Sequence, residues 1–473
     1  MHQPVRLGAA QISFVGFPEQ RVHRLISAAK EIRIDATPLR RLTVENADVL
    51  PLTPRPDGRF HGGVRDASGA SVSFSETHRH DLGSVVDVPS LAESAPITYT
   101  YPRRRALFGG VLFGGYGHIL LESLNRLWCA AEEPDIDILF LGVRGAAEGR
   151  NWLLLKEFAT LLGVGADRLV LVSEPIRAPE LVVPEPGLEL GLRTSLQHWE
   201  FIKKALGRHV VPERAPVGTA YVSRSRLKGL VRKPLGEPAI EKAVLSSGGV
   251  VYWPETDLLS EQVKAFNRHS AYAGFLGSHL HNLFLRFVEA PVDCAYLCSE
   301  APNLNFIQVD MLLPGRRIYR VASRFDPVYE FGNRAPYRID TVAAAEALSS
   351  VGLPIDSTEV APIEDSAYVE HWAYLMFHHK VLRPLDLRVR SGQIEDAEDA
   401  VRTAITGLVA KLDRSPTDTA ALGDSLLRAY AQAVRHVGID ARPMAAAGAD
   451  LLKDLLGASA LEPVGKRGDP GLS

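Results

Sequence analysis

Two groups of residues have types and spacings suited to chemistry. The first is His118, Glu122 and Arg126, which fall at i, i+4 and i+8 and so share nearly one face of a helix. A carboxylate beside an imidazole keeps the ring oriented and more basic. The glycines at 114, 115 and 117 let a ligand approach the helix start closely. The same spacing equally describes a helix-start histidine paired with Glu122 for stability alone.

The second group runs from Tyr221 to Asn282. A strand ends in Tyr221-Val222-Ser223-Arg224, and a basic loop follows with Arg226, Lys228, Arg232 and Lys233. Glu237 stands at the next helix start, then come Trp253-Pro254-Glu255 and Glu261-Gln262. The stretch closes on Gly277-Ser278-His279-Leu280-His281-Asn282 ahead of an apolar segment. A strand, a glycine and small polar residues, with Asn282 before an apolar helix, describe a helix N-terminus whose free N–H groups and dipole favour a phosphate. Arginines on a neighbouring loop would bind the same diphosphate through forked hydrogen bonds. A solvated basic loop with Gly277 merely turning the chain accounts for the same pattern.

Other motifs carry less. Asp135-Ile136-Asp137 has the spacing of a cation-binding pair, but it precedes the apolar run Ile138 to Leu141, so the aspartates are expected to start a strand and no metal is expected. His78 with His80, His279 with His281, and His378 with His379 lack the partners of a metal site. Cys294 and Cys298 read as buried thiols. Gly115-x-Gly117 lacks the third glycine of a dinucleotide fingerprint, and no Walker lysine follows any glycine run. These absences weigh against a nicotinamide enzyme and a P-loop ATPase. The arginines at 103 to 105 fit either a solvated turn or a contact for an anionic ligand.

The elements that must position these groups alternate between helix and strand from about residue 105. Helical spacing through His118, Leu121, Leu124 and Trp128 is followed by the apolar run Ile136 to Gly142, a helix over 151–163 and a strand over 168–172. A second block has strands at 220–223, 249–253, 271–276 and 293–298. Between them lie a helix opened by Pro238 and another with its stripe at Leu259, Val263 and Phe266. Such alternation predicts parallel sheets covered on both faces. Val210 to Gly218, with two prolines, reads as a hinge. The first hundred residues show few helical periods and read as small strands and loops, Ala70 to Phe74 among them. The tail is amphipathic and helical, through Ile394, Ala397, Val401, Ile405, Leu408 and Leu412, then through Leu422, Leu426, Ala429, Ala433 and Val437.

The chain has 473 residues and a net charge of −3, which makes a general nucleic-acid binder an unfavoured reading. Its 46 % hydrophobic and 23 % charged residues exclude a wholly disordered chain. Three cysteines are too few for a disulfide framework and fit a reducing compartment. No signal peptide or membrane-spanning run is read, so a cytoplasmic protein is expected.

The ordered set Tyr-Val-Ser-Arg, Pro-Glu, Glu-Gln and Gly-Ser-x-Leu-His-Asn resembles the bacterial branch of glycosyltransferase family 61, the DUF563 or capsular-polysaccharide group. The segment Gly115 to Glu122 with Arg126-Leu127-Trp128 is similar to that family's His-x-x-x-Glu-x-x-x-Arg. The resemblance covers about residues 105 to 300, and it has two departures: His279 stands where the family usually has glycine, and Gly236 precedes Glu237 where Asn-Glu is typical.

The resemblance implies an α/β, GT-B-like fold with two Rossmann-like domains facing a cleft. The domains expected are a β-rich segment over 1–104, an acceptor domain over 105–210, a nucleotide-sugar domain over 211–330 and a helical extension over 331–473. It implies inverting transfer of a sugar from a nucleotide-sugar, UDP-linked for example, to a hydroxyl of a glycan or lipid-linked glycan, with no required cofactor or metal. His118 and Glu122 are then the expected catalytic pair and Arg126 an acceptor or supporting residue. Arg224, Arg232, Glu255, Gly277, Ser278, His281 and Asn282 are the expected donor-binding residues. The product would be a surface or capsular polysaccharide made in the cytoplasm, with peripheral contact at the inner face of the membrane allowed. The rivals are a non-catalytic relative that keeps the fold as a binding or scaffolding module, and a nucleotide-dependent oxidoreductase.

Overall fold

The computed structural model describes residues 3–55, 57, 59–91, 96–97, 99–143, 149–209, 215–227, 234–324, 336–360, 362–363, 365–383, 399, 402–403, 405–407, 419–436, 448, 450–452 and 454. The chain divides into two units. The first comprises Met1–Arg224, Ser247–Val321 and Ala347–Pro354, and the second Ser225–Ser246, Ala322–Glu346 and Ile355–Ser473.

Two large sheets dominate the first unit, which also holds a three-stranded and a two-stranded sheet. Asp137–Leu141 is apolar after its first residue and buried throughout, as a strand covered on both faces must be. It pairs in parallel with Arg105–Val111 on one side and Leu169–Val172 on the other. Ile176–Pro184 extends this parallel set, and Arg41–Pro54 and Phe60–Arg65 continue it antiparallel, in a sheet of eight strands. The other large sheet has seven strands. Val250–Tyr252, Thr219–Val222, Ala271–Phe275, Asp293–Cys298 and Gly315–Val321 lie side by side in parallel. Ala10–Val15 adds to Gly315–Val321, also in parallel, and Val5–Leu7 closes that edge antiparallel.

The helices of this unit follow the expected stripes. Leu259–Arg268 buries Leu259, Val263 and Phe266, and Arg150–Leu161 buries Trp152, Leu155, Phe158 and Ala159. Burying such a row of large apolar side chains stabilises by roughly 1.5–3 kcal/mol per residue, and this outweighs the weak helix propensity of the aromatic ones. The three cysteines are buried and free.

The first hundred residues depart from the expected small strands and loops. Glu19–Lys30 is a helix of 12 residues and Arg41–Pro54 a strand of 14. Pro51 reads as punctuation but sits where the ladder to Phe60–Arg65 breaks register between Leu50 and Thr53, and a bulge tolerates a missing N–H. Ala70 to Phe74 is no strand; only Ser71 makes a bridge, to Arg65. The positive φ of 69° at Phe74 ends any extended run there.

The second unit contains a small sheet in which Tyr337–Ile339 lies between Pro234–Leu235 and Ser323–Arg324. The helix Glu237–Ser246 belongs to this unit, with Pro238 at its second position. Thr419–His436 is helical, packs on Asp365–Met376, and buries Leu426, Ala429 and Ala433 as its period predicts. Of the stripe over 394–412 only Ile405 is described, helical and buried, and the remainder lies outside the described residues. Among the described residues no helix is long and apolar enough to cross a membrane.

Candidate active site

The chain leaves the strand Arg105–Val111 and enters a helical segment at Tyr116. Its start needs Gly115, whose φ of +100° favours glycine, and Gly117, where a Cβ would stand 3.0 Å from His281 and 3.2 Å from Ser278. Tyr116–His118 is one α turn, Ile119–Ser123 is a π turn, and Leu127–Ala130 is α-helical again. His118 Nδ1 lies 2.5 Å from Glu122 Oε2. Arg79 donates to the same carboxylate twice, from Nε to Oε1 at 2.7 Å and from Nη2 to Oε2 at 2.9 Å. The Glu122 side chain is 2 % exposed and that of His118 is 43 % exposed, so the ring reaches solvent while its partner is buried.

Arg126 does not share this face, which corrects the expectation from i, i+4, i+8 spacing. The π turn takes up more residues per turn than an α-helix and carries Arg126 out of line. Arg126 is 1 % exposed and donates to the carbonyls of Phe74 at 2.6 Å, Glu76 at 2.9 Å and Pro184 at 3.3 Å, and to Asn125 Oδ1 at 3.1 Å. Burial pushes its guanidinium down to about 10, still charged at neutral pH. Its work is to fix the segment that leads into the hairpin of His78–Arg79 and Gly83–Ser84. His80 N donates to Leu190 O at 3.0 Å, and the Arg79 guanidinium lies 4.8 Å over the Phe113 ring. Arg79 is thereby held at the residue that follows it and at its guanidinium.

The second motif group also assembles in this unit. Because the strands Thr219–Val222, Val250–Tyr252 and Ala271–Phe275 are parallel, Arg224, Glu255 and Gly277 all follow strand ends on one edge, where α/β sheets bind ligands. Arg224 Nη1 donates to Leu276 O at 3.1 Å and lies against the bare α-carbon of Gly277, where a Cβ would stand 2.7 Å from it. Glu255 is half-buried in the turn after Val250–Tyr252, and Ser278 is exposed.

The expected helix start after Asn282 is corrected. A 3-10 helix begins at Ser278, directly after Gly277, and runs to Leu285 with Asn282 inside it. The Asn282 amide is fully buried and donates to Gln262 Oε1 at 2.8 Å, and the Tyr116 hydroxyl bonds both Asn282 Oδ1 and Gln262 Oε1. Burial raises the Tyr116 phenol, so it stays a donor. Asn282 therefore joins the two motif groups rather than offering its side chain to a ligand.

His281 is stacked 4.0 Å from Phe306, with Nε2 3.3 Å from Asn305 Nδ2. Burial, with a smaller effect of His118, pushes its ring down to about 3. His279 is half-buried, and burial together with the Arg224 charge holds it well below the usual histidine range.

A cavity of about 320 Å³ adjoins the pair, lined by His118, Arg79, His80, Asp81, Asn303 and Asn305 among others. Residues 116–294 match the family model described as Glycosyltransferase 61. Over those residues the chain is similar to glycosyltransferase family 61. The activity class of that family is glycosyl transfer. No curated protein matches the chain. The family 61 segment opens on Tyr116, the first residue of the turn that carries His118, and spans every site residue expected from the sequence. Arg232 lies outside the described residues.

Arg79 stands outside the family 61 segment, and sequence reasoning missed it. Its neighbours drew notice only as the pair His78 and His80, and no period relates them to His118. Asp137 begins its strand as expected, and binds Arg103 at 2.9 Å and the Tyr101 hydroxyl. The arginines at 103 and 105 are thus engaged by carboxylates, Arg105 by Glu133 and Glu180.

Proposed function

We propose that the protein is an inverting glycosyltransferase that moves a sugar from a nucleotide-sugar to a hydroxyl of a glycan or lipid-linked glycan. The observation that carries this reading is the His118–Glu122 pair beside a cavity, within a segment of a glycosyltransferase family. With its Nδ1–H donated in a hydrogen bond to Glu122, His118 has the lone pair of Nε2 for the acceptor hydroxyl. As the hydroxyl loses its proton to Nε2, its oxygen forms the new bond to the anomeric carbon. The bond from that carbon to the diphosphate oxygen breaks on the opposite side, and the nucleoside diphosphate leaves with the electron pair.

Charge that builds on the leaving diphosphate needs fixed donors. Arg224, at the strand end beside Gly277, is the proposed one, with the exposed Ser278 turn next to it. On this reading the eight-stranded sheet serves the acceptor and the seven-stranded sheet the donor, a GT-B-like division of labour. The product is a surface or capsular polysaccharide, made in the cytoplasm or at the inner face of the membrane. Arginine takes the part a metal plays elsewhere, so treatment with EDTA is expected to leave turnover unchanged; loss of activity that Mg²⁺ or Mn²⁺ restores contradicts this part of the reading.

Calorimetric titration of UDP, GDP and CMP into wild type and Arg224→Ala tests the donor assignment. Selective binding of one nucleotide, weakened at least about tenfold by the substitution, is expected from the loss of a charge-assisted contact. Equal binding to both proteins overturns the assignment. Binding without turnover of any matching sugar nucleotide favours the non-catalytic module instead.

A further inference from the structure

We propose that Arg79 is a positioning residue of this site: its forked donation to Glu122 dictates which nitrogen of His118 carries the proton. The inference rests on the reading of His118 as the base, but its test needs no turnover. Glu122 has two oxygens and three donors in reach. Oε1 takes Arg79 Nε at 2.7 Å, and Oε2 takes both Arg79 Nη2 at 2.9 Å and His118 Nδ1 at 2.5 Å. Arg79 Nη2 also comes within 3.4 Å of His118 Nδ1. A guanidinium carries N–H groups only, so it supplies no acceptor to an imidazole N–H. The carboxylate oxygen at 2.5 Å is therefore the acceptor for Nδ1–H, and Nε2 on the far edge of the ring keeps its lone pair.

The fork makes this arrangement hard to reverse. Bidentate Arg–carboxylate pairs fix the plane of the carboxylate as well as its position. The guanidinium is itself immobilised, since it lies over Phe113 and its backbone is tied at Leu190. Among the described residues, other titratable groups near the ring include His80 and Asp81 on the same hairpin and His281 on the turn at Ser278–Leu285. Among the described residues none of these three bonds His118 Nδ1.

The consequence is visible in what an amide does at position 122. In Glu122→Gln the amide oxygen is expected at the Oε2 position, where it accepts from both Arg79 Nη2 and His118 Nδ1, since an NH₂ there would set donor against donor with the guanidinium. The ring then keeps its proton on Nδ1 although the carboxylate is gone. In Arg79→Met/Glu122→Gln nothing holds the amide, its NH₂ is free to turn toward Nδ1, and the ring is released to carry its proton on Nε2. The double variant removes both members of a largely buried charge pair and strands neither.

Long-range ¹H–¹⁵N spectra of protein labelled at histidine distinguish the two tautomers of a neutral ring, with His118 assigned from its loss in His118→Ala. The expected result is the Nδ1–H tautomer in wild type and in Glu122→Gln, and a shift to the Nε2–H tautomer in the double variant. The Nε2–H tautomer in wild type overturns the proposal without recourse to any variant. So does a double variant with the same tautomer as Glu122→Gln, which is what a purely structural Arg79 would give. Should the wild-type protein show the expected tautomers yet transfer no sugar, the glycosyltransferase reading fails and the role of Arg79 stands.

Discussion

His118 is exposed on one edge and anchored on the other, and that asymmetry is the chemistry of the site. His118→Ala is expected to lower the rate constant for transfer by about 10²–10⁴, the range for loss of a general base, with nucleotide affinity kept. Arg126 works through structure instead. Arg126→Met leaves the Phe74 and Glu76 carbonyls without their donor and is expected to cost about 3 kcal/mol or more, read as a lower midpoint in urea. An unchanged midpoint would show that the loop before Arg79 is held by other means. The i, i+4 relation of His118 and Glu122 was legible because helical spacing brings such residues together. Arg79 was not, since 39 residues separate it from His118 and only the fold brings them into contact.

At the scale of elements, the turns after parallel strands do the positioning. Gly277 lies so close to the Arg224 guanidinium that a methyl group there must displace it. Gly277→Ala is accordingly expected to weaken nucleotide binding severalfold while the melting transition stays cooperative; undiminished affinity would take Arg224 out of the donor site. Strand and helix placement was largely readable, because Asp137–Leu141, Asp293–Cys298 and the stripe of Leu259–Arg268 each bury a pattern that only one period explains. Two features were not. A π turn has no composition of its own, so the departure of Arg126 from the face of His118 left no mark in spacing. The helix start at Ser278 hid behind the polar run up to Asn282, whose side chain turned out to bond Gln262 and Tyr116.

At the scale of the molecule, the strand Ala10–Val15 is built into the same sheet as residues 219–321, a pairing between chain segments hundreds of positions apart that no local pattern encodes. Ile12 and Phe14 are buried there, Phe14 stacked 5.5 Å from Tyr319. A chain beginning at residue 105 is expected to lose cooperative thermal unfolding, and retention of a sharp transition would show the sheet to be independent of its first strands.

Acid should act on the whole fold as well. Burial pushes His198 and His281 down to about 3, so both are neutral when folded and would take up protons on unfolding below the free histidine range. The unfolded state then binds more protons, so stability rises with pH over this window and is lost as pH falls from about 6.5 toward 3, each ring adding up to about 1.4 kcal/mol per pH unit. Neither His198 nitrogen has a hydrogen-bond partner among the described residues. His198→Leu is expected to flatten the dependence of the urea midpoint on pH between neutral and mildly acidic conditions, and a slope equal to wild type would contradict it.

The most direct test of the account is steady-state transfer by wild type and His118→Ala, with the sugar nucleotide identified by calorimetry and glycan acceptors offered in a mixture. The account predicts nucleotide release coupled to a new glycosidic bond in wild type, and loss of that coupled reaction in the variant while its nucleotide affinity persists. Transfer by His118→Ala at the wild-type rate would contradict it.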